Sequence, residues 1–184
     1  MTKLVINGAA GRMGKRILAL AVESGEFDIV GALEHSSSEL LGNDAGEAAG
    51  IGRIGLPLSS RKPEIADVMI DFTLAPAADE TIEYCQNAGI GLVMGTTGLS
   101  DEQISKLERA AKDIPVIYGT NMSVGMNFLF EMVGKFAKML GEKYDIEIIE
   151  HHHKFKKDAP SGSATTLAER IAEETGRDMP GSVQ

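Results

Sequence analysis

The chain has one cysteine in 184 residues, so no internal disulfide can form. A chain so poor in cysteine belongs in a reducing compartment. Cys85 lies in TIEYCQNAG, a predicted helix, where a small core side chain is expected rather than a nucleophile. Positive charge is also short, with 18 Lys and Arg against 27 Asp and Glu and a net charge of −9. A nucleic-acid-binding surface needs the opposite balance, so any basic site here must be local and suited to a small acidic ligand. No apolar run approaches the roughly 20 residues that span a bilayer. MTKLVINGAAG leads directly into a strand and a glycine turn instead of a secretory leader. The expectation is a cytoplasmic protein with neither nucleic acid nor membrane as partner, and 43% hydrophobic residues suffice for a core.

What is present alternates in a regular way. Short β-rich apolar runs at residues 3–7, 27–33, 67–72, 91–94 and 115–118 alternate with helical patterns at 11–24, 76–87 and 101–112. Met13, Ile17, Leu20 and Ala21 mark the expected inner stripe of the first helix, and residues 36–60, rich in Ser and Gly, are expected to be mostly loop. Strands separated by helices imply parallel βαβ units, hence an α/β, doubly wound parallel sheet of the Rossmann type. After residue 122 the rhythm changes. Residues 123–140 form a Met- and Phe-rich helical pattern, expected to be packing, with Ser123 as its cap. Residues 144–150 (YDIEIIE) alternate like a half-buried strand, and residues 163–175 form a helix with Leu167 and Ile171 inward. The division expected is a dinucleotide-binding domain over residues 1–122 and a smaller α+β domain over 123–184. One strand and two helices make only part of a layer, so that second domain is expected to be incomplete.

The segment Asn7-Gly8-Ala9-Ala10-Gly11-Arg12-Met13-Gly14 places glycines between the first strand and the first helix. Glycine allows the tight turn and the close approach of backbone to a pyrophosphate, which then sits on the helix N-terminus. The spacing G-x-x-G-x-x-G departs from the common dinucleotide fingerprint, and alone it is weak. Its context supports it, because Glu34 stands at the end of strand two, where a carboxylate accepts from ribose hydroxyls. A solvated strand-end charge is the plainer alternative for Glu34. His35 and Arg12 are candidates for meeting a phosphate. The loops Gly95-Thr96-Thr97-Gly98 and Gly119-Thr120-Asn121-Met122 follow strands four and five, on the edge where open α/β sheets bind ligands.

Residues 150–164, EHHHKFKKDAPSGSA, bring three histidines and three lysines beside a Pro-Ser-Gly-Ser turn in an otherwise acidic chain. Unpaired buried charge is too costly for such a run to enter a core. Zinc fits poorly, because consecutive strand residues point to opposite faces and no second ligand cluster exists. A proton donor with an anion clamp fits better: one histidine delivers a proton, Lys156 neutralises charge, and the turn at residues 161–163 holds a carboxylate. No metal is expected.

The glycine loop at residues 8–14, followed by Glu150-His-His-His-Lys-Phe-Lys-Lys-Asp-Ala-Pro-Ser-Gly-Ser163, resembles the dihydrodipicolinate reductase family of bacteria over the whole chain. The resemblance implies reduction of a small cyclic dicarboxylate on the diaminopimelate route to lysine. It makes His152 the proton donor/acceptor, His153 a substrate contact, Lys156 a proton donor or charge stabiliser, and Gly162 and Ser163 a carboxylate site. It places NADH or NADPH on Gly8–Met13, Glu34, Gly95–Thr97 and Gly119–Met122. His35 stands where members often carry arginine, which leaves the choice of nucleotide open. Members continue past residue 184, and the resemblance implies a homotetramer built by that continuation. A nucleotide-binding module without catalysis is the competing reading. An aspartate- or homoserine-type dehydrogenase would leave DAPSGS unexplained.

Overall fold

The computed structural model describes residues 1–152, 154 and 159–177, which divide between Gly119 and Thr120 into two compact units. In the first unit β1 (Thr2–Asn7), α1 (Arg12–Ser24), β2 (Phe27–Leu33), α2 (Ala45–Ala49), β3 (Leu58–Ser59), β4 (Val68–Asp71), α3 (Ala78–Ala88), β5 (Gly91–Met94), α4 (Asp101–Ala110) and β6 (Val116–Tyr118) follow in order. The six strands form one sheet in the order β3-β2-β1-β4-β5-β6. Every pairing between neighbouring strands is parallel. This is the doubly wound arrangement that the alternating pattern implies, with its switch point between β1 and β4.

Two apolar clusters cover the two faces of the sheet. Val5, Met69, Ile82, Ile90, Leu92 and Leu107 form one, and Leu4, Ile6, Leu18, Ala32 and Leu58 the other. Consecutive residues of β1 feed opposite clusters because strand side chains alternate. Each fully buried Leu or Ile contributes about 1.5–3 kcal/mol. Cys85 is buried among them, and burial pushes its thiol up to about 12, in keeping with a core role.

Two expectations need correction, and a third needs detail. Residues 36–60 are mostly loop, as expected, but they also hold α2, capped by Asp44 accepting from the N–H groups of Gly46 and Glu47, and the short edge strand β3. The inner face of α1 is Gly14, Leu18 and Ala21, with Ile17 half-buried, whereas Met13 and Leu20 are exposed. Gly14 lies against the backbone of the loop at Gly8 and Ala9, which sets the inward face of the helix apart from the stripe that apolarity alone suggests. Residues 145–150 pair with no strand among the described residues, and Ile146, Ile148 and Ile149 are exposed. Alternation marks a strand face, but a ladder needs a partner.

The second unit holds α5 (Val124–Leu140) and α6 (Gly162–Thr175), packed on each other. Phe130, Gly134 and Ala137 form the buried face of α5. The helices approach so closely that a Cβ on Gly134 would lie 2.3 Å from the Arg170 carbonyl oxygen. The packing expectation for the Met and Phe stripe holds for this face alone. Phe128, Phe136 and Met139 are exposed, because among the described residues α6 covers only one side of α5. No helix among the described residues is long and apolar enough to cross a membrane.

Candidate active site

The sheet register lines up the ends of its strands. Asn7 stands opposite Leu33 and Asp71, Asp71 opposite Met94, and Met94 opposite Tyr118. The loops that begin at Gly8, Glu34, Phe72, Gly95 and Gly119 therefore leave one row at one edge. Gly8 turns the chain with φ +78°, and the N–H groups of Gly8 and Ala9 donate to the Leu33 carbonyl at 3.0 and 2.9 Å. A Cβ on Gly14 would meet the Gly8 carbonyl oxygen at 2.1 Å, so α1 starts against the backbone of the loop. Its cap is Gly11, which offers no side chain to the first turn, and that turn carries no acidic residue.

Glu34 is tied into this loop. Its carboxylate accepts from the N–H of Ala10 and the N–H of His35, both at 3.0 Å. The side chain thus sits beside the glycine turn instead of standing alone at a strand end. His35 is exposed, and its Nδ1 lies 2.7 Å from the Ser37 hydroxyl. Arg12 and Met13 are exposed, whereas Ala9 is buried and offers only backbone. In the Gly95-Thr96-Thr97 loop, a Cβ on Gly95 would strike the Phe72 ring at 2.3 Å. Thr96 is buried and Thr97 exposed.

Sequence reading missed Asp71, which ends β4 beside the switch point and is fully buried. Asn7 Nδ2 donates to it at 2.7 Å, Thr81 Oγ1 at 3.2 Å, and the Thr73 N–H and hydroxyl at 3.1 and 3.0 Å. The Thr96 hydroxyl completes the set. A carboxylate closing the apolar run VMID, with Asn7 closing the neighbouring strand, was the available signal.

In the second unit Thr120, Asn121 and Ser163 come together. Asn121 Nδ2 donates to Ser163 Oγ at 3.0 Å, Thr120 Oγ1 lies 3.3 Å from Thr166 Oγ1, and Gly162 lies against the Thr120 side chain. Met122 is exposed. Ser161 caps α6 by accepting from the Ala164 N–H at 3.1 Å. Glu150 accepts from the Ser161 N–H at 2.8 Å and from the Ser161 hydroxyl, and its carboxylate lies 3.5 Å from His152 Nδ1. One carboxylate therefore connects the histidine singled out as proton carrier to the start of the helix bearing Gly162 and Ser163. Sequence reading included Glu150 in the motif without a role. His151 is exposed. His153 and Lys156 lie outside the described residues.

A family model described as Dihydrodipicolinate reductase, N-terminus, matches residues 2–122, and one described as Dihydrodipicolinate reductase, C-terminus, matches residues 125–183. The chain belongs to the dihydrodipicolinate reductase family. Family relatives include the 4-hydroxy-tetrahydrodipicolinate reductase of Acinetobacter baumannii (strain AYE), 45% identical over 96% of this chain. That of Pseudomonas fluorescens (strain SBW25) is 44% identical over 97% of it. The chain spans 66% of the length of the first relative and 68% of the second. Among solved structures, a dipicolinate-bound dihydrodipicolinate reductase from Paenisporosarcina sp. TG-14 matches all of this chain and 71% of its own, with a TM-score of 0.72 and 25% identity. An aspartate semialdehyde dehydrogenase with NADP from Candida albicans shares the fold, with a TM-score of 0.51 over 76% of this chain.

Proposed function

We propose that the whole protein reduces 4-hydroxy-tetrahydrodipicolinate to tetrahydrodipicolinate on the diaminopimelate route to lysine, with NADH or NADPH as reductant. The observation that carries this reading is the Glu150 carboxylate, held by Ser161 at the α6 N-terminus and facing His152. A carboxylate beside an imidazole orients the ring, and a group that hands on a proton at a fixed place needs that orientation. The N–H groups of Gly162 and Ser163 open α6 ahead of the Ala164 N–H that Ser161 caps, and they suit one carboxylate of a dicarboxylate substrate. Lys156 is given the neutralisation of charge developing on the ring, and His153 a substrate contact, both from their places in the family motif.

The sheet edge fits a dinucleotide. Gly8, Gly11 and Gly14 let the turn and the start of α1 pack backbone against backbone, and the α1 N-terminus suits a pyrophosphate. Glu34, next to the loop, suits a ribose, and Gly95–Thr97 and Gly119–Met122 supply backbone donors. When bound, the reduced nicotinamide supplies a hydride. His35 is too weak a phosphate partner to dictate NADPH over NADH, so use of both is expected. The reading also carries a homotetramer and a cytoplasmic location. The exposed Phe128, Phe136 and Met139 of α5 suit a face covered in an assembly.

NADH and NADPH oxidation with freshly generated dihydrodipicolinate tests the proposal, on this chain and on one extended to the length of its relatives. Substrate-dependent turnover in the extended chain, largely lost in Lys156→Ala, is expected. Bound cofactor without such turnover in either chain would leave only a nucleotide-binding fold.

A further inference from the structure

We propose that Asp71 is a positioning residue of the cofactor edge, acting through Thr96 and Thr73 to hold the Gly95–Thr97 loop and the turn after β4 in ligand-ready geometry. The inference rests on the reading of that edge as a dinucleotide site. Asp71, Thr96 and Thr73 close a ring: the Thr96 hydroxyl donates to Asp71, the Thr73 N–H reaches both Asp71 and Thr96 Oγ1 at 3.1 Å, and the Thr73 hydroxyl returns to Asp71 at 3.0 Å. Asn7, the last residue of β1 before the glycine turn, and Thr81 of α3 donate to the same carboxylate. Three strand-end segments around the switch point are thus joined to one buried group.

A stabilising role alone is a poor explanation for a carboxylate here. Replacing a buried polar cluster as a whole by well-packed apolar side chains is often neutral or favourable, so stability alone does not call for one here. Directional bonds instead fix where backbone atoms lie, which a ligand held by backbone N–H groups requires. Thr96 is only 2% exposed and its hydroxyl bonds inward, so its effect on a nucleotide passes through the loop backbone.

Nucleotide fluorescence titrations with NADH and NADPH, paired with thermal melts, test this on Asp71→Asn, Thr96→Val and the double variant of the chain. Each single change is expected to raise Kd about tenfold. The double variant is expected to be no weaker than the weaker single, since both break one linkage. Thr96→Ser, which keeps the hydroxyl, restores the parental Kd. Independent losses that multiply to roughly a hundredfold would overturn the proposal, as would a lowered Tm with unchanged Kd. Should Asp71→Asn fail to fold, equal Kd values for Thr96→Val and Thr96→Ser would overturn it. A parent chain that binds neither nucleotide overturns the cofactor-edge reading and this inference together, whereas a binding parent with uncoupled variants overturns the inference alone.

Discussion

Gly14 occupies a position where a single methyl group has nowhere to go. A Cβ there would lie 2.1 Å from the Gly8 carbonyl oxygen and 2.7 Å from the Ala9 Cα, both backbone atoms. Backbone cannot rotate aside as a side-chain tip can, so Gly14→Ala must push α1 off the loop. The expected cost is about 3 kcal/mol, with a weakened NADH Kd in the protein that still folds. Gly125 in α5 is the control, because its nearest neighbour would be Ser123 Oγ at 3.9 Å. Gly125→Ala is expected to hold or raise stability by up to about 1 kcal/mol, since alanine favours helix. Urea midpoints for the two variants decide the matter, and equal values would sink the steric argument.

Helix caps that look alike in sequence differ in what stands behind them. Ser123 and Ser161 each accept from the third residue of their helix, Met126 N–H at 3.4 Å and Ala164 N–H at 3.1 Å. Ser123 is exposed, whereas Ser161 is buried and also bonded to Glu150. Removing the first hydroxyl loses a cap, worth about 1 kcal/mol. Removing the second also strips a partner from a half-buried carboxylate, so Ser161→Ala is expected to cost about 2–3 kcal/mol. Denaturant curves followed by helical circular dichroism measure both. A Ser161→Ala loss no greater than that of Ser123→Ala would show that the bond to Glu150 adds nothing to stability.

On the scale of the whole molecule, an acidic chain places several carboxylates where folding favours their charged form. The Lys106 ammonium, with help from Gln103, holds the Asp79 carboxyl below its usual range. Lys62 does the same for Glu80. At Asp44 burial pulls upward, but four backbone N–H groups outweigh it and the net direction is down. A carboxylate with a lowered folded pKa contributes stability that is present above its unfolded pKa. That contribution is lost as pH falls through the folded value. The urea midpoint of the first unit is therefore expected to drop below about pH 4. Asp79→Asn should narrow its gap to the parent as the pH falls, and a gap that widened with acid would contradict the assignment.

Local signals were enough for the five longer strands of the sheet and for the glycine turn. Each rests on periodicity or on residue types that admit few conformations, such as Gly8 at positive φ. Short β3 and α2 escaped notice because two and five residues carry too little periodicity to be read. The segment YDIEIIE carried a strand's alternation, yet a strand exists only where another chain segment meets it. Sequence by itself determined that this is a doubly wound α/β protein whose glycine loop precedes a motif of the dihydrodipicolinate reductase family. Tertiary structure alone decided that Asp71 collects donors from four segments and that Glu150 joins His152 to the start of α6. These partners lie far apart in the chain, or across an irregular loop, and hydrogen bonds depend on where folding places atoms rather than on their order in sequence.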